Sequence, residues 1–165
     1  MTTPLEQLRQ HVRPGGPAET PCPKCANTGK VLHIKPLGVP NELLPCSYCK
    51  GTGVIVSPQV AAIREALWEP CPNVTRHKDI EANCSGHCSK CGNRGYIRRS
   101  REQAALLLPE TLRQLGYTVG IHGHHRGKGW SAFITKGAIH GNCDDESTPE
   151  DALSAAVLAG LEATP

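Results

Sequence analysis

The order of apolar and polar positions divides the chain into short elements separated by turn-forming residues. Residues 4–12 (Pro-Leu-Glu-Gln-Leu-Arg-Gln-His-Val) read as a short helix, and Arg13-Pro14-Gly15-Gly16-Pro17 ends it as a linker. Lys30-Val31-Leu32-His33-Ile34 and Val54-Ile55-Val56 read as short strands. Ser57-Pro58 opens a helix, with Ser as N-cap and Pro at the first helical position; Val60, Ile63 and Leu67 then repeat at helical spacing up to Trp68. Ser100 and Gln103 fit a capping box for a helix through Ala104–Leu108. Pro109 to Leu115 adds a second helical turn or two, closed by Gly116.

The remaining residues read as a separate small unit. Tyr117, Val119 and Ile121 alternate as in a half-buried strand, and Trp130–Ile134 supplies a second, with a turn at His122–Lys128. Asn142–Ser147 reads as an acidic loop. Thr148-Pro149-Glu150-Asp151 starts a last helix with two acids at its positive end, and Leu153, Ala156, Val157 and Leu161 give it one apolar face. Eight cysteines fall between 22 and 91, six of them as three C-x-x-C pairs, the spacing of zinc ligands. The predicted class is therefore a small α+β protein: a zinc-stabilised β-hairpin module followed by a compact α-β-β-α unit. The expected divisions are an N-terminal helix and linker (1–17), a zinc-binding module (18–99) and the α-β-β-α unit (105–163).

Composition changes this picture in one respect. Only 38% of the 165 residues are hydrophobic and 4% aromatic, with two Trp, three Tyr, one Phe and one Met, so large side chains for a core are scarce. No apolar run approaches the roughly 18 residues of a membrane span. Nine cysteines lie at 22, 25, 46, 49, 71, 84, 88, 91 and 143. The first residues show no basic start and no apolar stretch of a secretory signal, so the expected location is the cytoplasm, where paired cysteines hold metal more often than disulfides. Cys22/Cys25, Cys46/Cys49 and Cys88/Cys91 are C-x-x-C pairs, whose turn points two sulfurs inward, and zinc takes four such ligands in a tetrahedron.

Charge points less clearly. Residues 1–104 carry 14 basic and 8 acidic side chains, a balance of +6, and residues 105–165 carry 4 and 7, a balance of −3. Each four-thiolate zinc site contributes −2, so two sites bring the N-terminal part to about +2 and the chain to about −1. A formal charge of +3 is thus a weak argument for a nucleic-acid partner.

Cys46-Ser47-Tyr48-Cys49-Lys50-Gly51-Thr52-Gly53 has the form C-x-x-C-x-G-x-G and resembles the cysteine-rich domain of DnaJ-type co-chaperones. The glycines let the chain turn tightly behind the thiolates and point N–H groups at sulfur. Cys22–Gly29 is a degraded copy with Asn27 at the first glycine position; Cys88–Gly95 keeps the last glycine; Cys71-Pro72-Asn73-Val74 looks like a fourth copy that has lost its second cysteine, for which Cys84 can substitute. Two structural Zn2+ ions follow, one held by Cys22, Cys25, Cys46 and Cys49, the other by Cys71, Cys84, Cys88 and Cys91, with His77 and His87 as rival ligands. DnaJ nests its pairs; here the missing cysteine and the intervening helix favour sequential pairing. The resemblance covers about 20–97. The J-domain is absent, so what it implies is peptide or protein binding on a zinc scaffold. Residues 105–163 are similar to a small helix–strand–strand–helix sandwich domain of bacteriophage proteins, through Gly129–Phe133 and Thr148–Leu153.

The favoured function is a non-enzymatic interaction protein of phage or prophage origin that binds a host or phage protein. The alternative is a nucleic-acid-binding regulator using Arg94, Tyr96, Arg98, Arg99 and Arg101, four positive charges within eight residues around a stackable ring. A third reading is an enzyme at the His122–His125 turn. Cys143, followed by Asp144 and Asp145, reads as a loop thiol in preference to a nucleophile near His140, because neighbouring acids disfavour the thiolate.

Overall fold

The computed structural model describes residues 2–36, 40–72, 91, 96–124 and 129–163. Helix α1 (Pro4–Val12) starts at the Thr3 cap, whose hydroxyl accepts the Glu6 N–H at 3.3 Å. Pro4 occupies a first-turn position where a missing N–H costs no hydrogen bond. Leu5, Leu8 and Val12 form its buried face.

Four short strands follow: β1 (Thr20–Pro21), β2 (Lys30–His33), β3 (Glu42–Pro45) and β4 (Val54–Ile55). They make two antiparallel ribbons, β1 with β4 and β2 with β3. Helix α2 (Pro58–Leu67) begins at Ser57, whose hydroxyl accepts the Val60 N–H at 3.2 Å. It buries Val60, Ile63, Ala66 and Leu67 and passes directly into β5 (Trp68–Pro70). Trp68 still donates its N–H to the Arg64 carbonyl but is already extended, so the helix ends one residue before the sequence pattern suggests. β5 pairs antiparallel with β6 (Tyr96–Arg98).

Helix α3 (Arg101–Gln114) has both halves of the Ser100–Gln103 capping box. The two helical pieces expected on either side of Pro109 are one continuous helix. A proline removes one N–H, but Ala104, Leu108 and Leu112, spaced by four, keep the same buried face against the core through that point.

Strands β7 (Thr118–Gly123), β8 (Trp130–Lys136) and β9 (Ile139–Glu146) form an antiparallel sheet in that order, and α4 (Pro149–Glu162) packs across it. The C-terminal unit is therefore α-β-β-β-α, with an extra strand where an acidic loop was expected. β9 is an edge strand whose inward positions are Ile139, Gly141 and Cys143, while His140, Asn142 and Asp144 are exposed. With a single large aliphatic residue, its alternation is hard to see in the sequence. Gly141 marks where α4 lies closest: a Cβ there would stand 2.0 Å from the Ala156 carbonyl oxygen.

One apolar core joins α1, α2, α3, the sheet and α4, so the N-terminal helix packs with the C-terminal unit. Asp151, 2% exposed, fastens this junction. Its carboxylate accepts the Leu5 N–H at 3.2 Å, the Thr148 hydroxyl at 2.9 Å and an Arg101 N–H at 3.2 Å, which ties the starts of α1, α3 and α4 together. Burial opposes its charge, but the bonds from Thr148, Leu5 and Arg101 outweigh burial and hold the carboxyl below its ordinary range. The two-ribbon segment is tied to this core by Arg64. Its guanidinium pairs with Glu19 at 2.7 Å and donates to the carbonyls of Val12 and Arg13. No helix among the described residues is long and apolar enough to cross a membrane.

Candidate metal centre

The sulfurs of Cys22, Cys25, Cys46 and Cys49 lie within 4.8 Å of one another, and all four residues are buried. Cys22 and Cys46 are 3.9 Å apart at sulfur, and Cys25 and Cys49 are 3.7 Å apart. A tetrahedral zinc with Zn–S bonds of about 2.3 Å requires sulfur–sulfur edges of about 3.8 Å. A disulfide requires about 2.05 Å. The cluster thus has the donor set and the dimensions of a four-thiolate site that can hold a single zinc ion. The sulfurs that converge are those of the first two C-x-x-C pairs, in sequential order.

The site is built twice from one local design. Cys22–Gly29 and Cys46–Gly53 follow matching paths, with Ala26, Asn27 and Gly29 at positive φ in one copy and Lys50, Gly51 and Gly53 in the other. The Cys22 N–H donates to the Gly53 carbonyl at 2.9 Å, and the Cys46 N–H donates to the Gly29 carbonyl at 2.7 Å. The turns lock together at the last glycines. A Cβ on Gly29 would lie 2.1 Å from the Gly51 oxygen, and one on Gly53 would lie 2.3 Å from the Asn27 oxygen. A Cβ on Gly51 would meet only ordinary contacts, 3.6 Å from the Pro45 side chain and 3.9 Å from the Gly29 oxygen, so this position needs only its positive φ of 84°, which explains why Asn27, at 68°, serves in the other copy.

Two residues that the sequence reading passed over brace these turns. The Thr28 hydroxyl lies 2.6 Å from the Cys25 carbonyl and 2.8 Å from that of Lys30; the Thr52 hydroxyl lies 2.7 Å from the Cys49 carbonyl and 2.8 Å from that of Val54. The Thr-Gly dipeptide common to both copies was the available signal.

Ionisation is unevenly shared in the cluster. Burial raises the Cys25 thiol, and donation to its neighbours pushes it further, to about 12. At Cys49 burial also opposes ionisation, but the Gly53 N–H, 3.2 Å from the sulfur, and hydrogen bonds from the other thiols bring it down to about 6. Cys22, Cys25, Cys46 and Cys49 would hold a zinc ion as thiolates, so binding would release the thiol protons that remain. Four protein ligands leave no position for water, so the chemistry of such a centre is cross-linking.

The second cysteine group is described in part. Cys71 and Cys91 are both buried and share a cluster with Ile97, as Cys22, Cys25, Cys46 and Cys49 do with Val31 and Ile55. Cys84, Cys88, His77 and His87 lie outside the described residues. The flanking strands repeat one register: Pro21 pairs with Val54 and Thr20 with Ile55, just as Pro70 pairs with Tyr96 and Glu69 with Ile97. Pro21-Cys22-Pro23 and Pro70-Cys71-Pro72 match as well.

The basic edge is engaged inside the molecule. Arg98 pairs with Glu6 at 2.9 Å and stacks over Trp68 at 5.6 Å. Arg99 pairs with Glu69 at 3.0 Å and donates to the Glu65 carbonyl at 3.0 Å. Arg101 holds Asp151. Tyr96 is part-exposed at a cavity of about 210 Å³ that it lines with Arg13, Pro14 and Trp68. Arg94 lies outside the described residues.

Among the described residues, His122, His124 and Cys143 are brought into no common site. His122 stacks on Phe133 with centroids 6.0 Å apart, and His124 lies 3.8 Å from Asp145. His125 is outside the described residues. Cys143 is not in a loop but on β9, where it packs against the apolar core. Strand alternation puts it on the face opposite His140. Burial and then Glu146 raise its thiol.

Fold and site together define a small α+β protein with a closed four-cysteine centre suited to zinc. Compared with protein families, curated proteins and solved structures, the chain matches none.

Proposed function

We propose that the protein is a non-enzymatic zinc-stabilised scaffold that binds another protein in the cytoplasm. The observation that carries this reading is the closed set of four buried sulfurs, within 4.8 Å of one another on two ribbons too short to bury a core of their own. A metal so enclosed supplies folding energy and presents a surface, and thiolate ligands suit a reducing compartment. The resemblance to DnaJ-type cysteine-rich modules supports a protein partner. The sequence resemblance of Gly129–Phe133 and Thr148–Leu153 to phage helix–strand–strand–helix domains supports a phage or prophage origin, though β9 adds a strand that such domains lack.

In this reading a second ion sits at Cys71, Cys84, Cys88 and Cys91. The repeated strand register and the shared burial of Cys71, Cys91 and Ile97 support it. Nucleic acid takes second place, since Arg98, Arg99 and Arg101 already have carboxylate partners.

Native mass spectrometry of protein purified without added metal tests the reading. The expected result is two zinc ions on protein free of nucleic acid, one ion in Cys71→Ser and one in Cys46→Ser. A metal-free folded protein overturns the scaffold, and salt-removable nucleic acid on the purified protein moves the alternative to first place.

A further inference from the structure

The β2–β3 ribbon has two unlike faces. Register places Val31 opposite Leu44 and His33 opposite Glu42 on one side, and Lys30 opposite Pro45 and Leu32 opposite Leu43 on the other. On the first side Val31 packs on the four-cysteine cluster, Glu42 pairs with Lys35 at 2.8 Å, and Leu44, at 36%, is the least exposed of the ribbon's leucines. The second side is apolar and open. Leu32 is 58% exposed and Leu43 62%, and Ile34, which continues the alternation one residue beyond β2, is 77% exposed. Adjoining exposed aliphatic side chains of this kind mark an interaction surface, whereas isolated ones do not.

The charge around that face selects the occupant. Lys30 lies on it opposite Pro45, and Lys50 precedes Gly51, where a Cβ would lie 3.6 Å from the Pro45 side chain; among the described residues neither lysine has a carboxylate within ion-pair distance. Lys35, by contrast, is paired. A two-stranded ribbon also gains stability when a helix packs on its apolar face. We infer that the Leu32–Ile34–Leu43 face is the docking site for an amphipathic helix of a partner protein, with aliphatic residues on one stripe and acidic residues beside it. This rests on the scaffold reading above and names the surface and the partner chemistry.

The test uses the full-length zinc-loaded protein and a labelled helical peptide of about 20 residues, with leucines spaced by three and four and glutamates beside them. Fluorescence anisotropy should show saturable binding. The counterpart with lysine for glutamate should bind at least about tenfold more weakly, and Leu32→Ser/Leu43→Ser should weaken binding of the acidic peptide by about tenfold or more. Zinc content measured on the same variant shows that the ribbon still forms; Leu43→Ser alone is the fallback if the double variant loses metal. Equal affinity for both peptides, or for wild type and variant, overturns the docking site. So does concentration-dependent dimerisation in sedimentation velocity that Leu43→Ser abolishes, because the occupant is then a second copy. A protein partner that cross-links elsewhere on the zinc-loaded chain also overturns this site but leaves the scaffold reading intact. A folded protein without metal removes the scaffold reading itself.

Discussion

Among the described residues between Thr20 and Ile55 the buried side chains are four cysteines, with Val31 and Ile55 packed against them. In the other region, from α1 through α2, α3 and the sheet to α4, they are mainly leucines, isoleucines, valines and alanines, with Trp68 and Tyr117, in one continuous cluster. The strands of the first region are two to four residues long; those of the C-terminal sheet are six to eight. Burying apolar area contributes about 25 cal/mol per Å², so a region whose leucines stay exposed needs another source of cohesion. A structural zinc contributes about 10–16 kcal/mol in small modules. Burial and not composition separates the two regions: the ribbons carry Leu32, Ile34, Leu43 and Leu44 but leave them exposed, while the rest folds around an ordinary core.

The largest expected effect separates the two regions outright. Chelation of zinc should abolish hydrogen-exchange protection across Cys22–Ile55 while β7–β9 and α4 stay protected; loss of both together would show one cooperative unit joined through Arg64 and Glu19. The converse change is Leu153→Ala in the buried face of α4. It should lower core stability by about 2–5 kcal/mol in denaturant unfolding and leave zinc affinity unchanged. A matching fall in zinc affinity would erase the distinction.

Within the metal region, Gly53→Ala places a Cβ against the Asn27 oxygen and should weaken zinc binding by about 10–100-fold in a competition titration, as losses behind metal ligands do. Gly51→Asn should stay close to wild type, because Asn27 already fills the equivalent place. Equal effects of the two substitutions would break the account of the paired turns.

The smallest effect concerns the core's charged junction. The Asp151 carboxyl is held below its ordinary value. Its contribution is therefore complete above about pH 4, the unfolded value, and is lost as pH falls through the lower native value. Asp151→Asn should be less stable than wild type by about 1–3 kcal/mol at pH 6, with the difference shrinking toward zero in acid. The readout is exchange of α4 amides, since acid also protonates zinc-binding thiolates. A difference independent of pH would remove the carboxylate's charge from the explanation.

What the residues determined by themselves is whatever their near neighbours suffice to specify. Ser57-Pro58, Ser100 with Gln103 and Thr148-Pro149 announce three helix starts because a cap bonds within its own first turn. The four-cysteine cluster was legible for the same reason, since each C-x-x-C aims two sulfurs through one local turn and two such turns suffice for a tetrahedron. The tertiary structure decided what depends on distant partners. β9 is a strand because β8 and α4 flank it, and its own side chains carry little signal. α3 runs through Pro109 because a buried face holds it on both sides. Cys143 turns inward, and the arginines at 98 and 101 meet carboxylates at Glu6 and Asp151 that lie 92 and 50 positions away in the chain. The open face of Leu32 and Leu43 likewise became visible only once β3 had paired with β2, because register, and no single strand's pattern, decides which side chains share a surface.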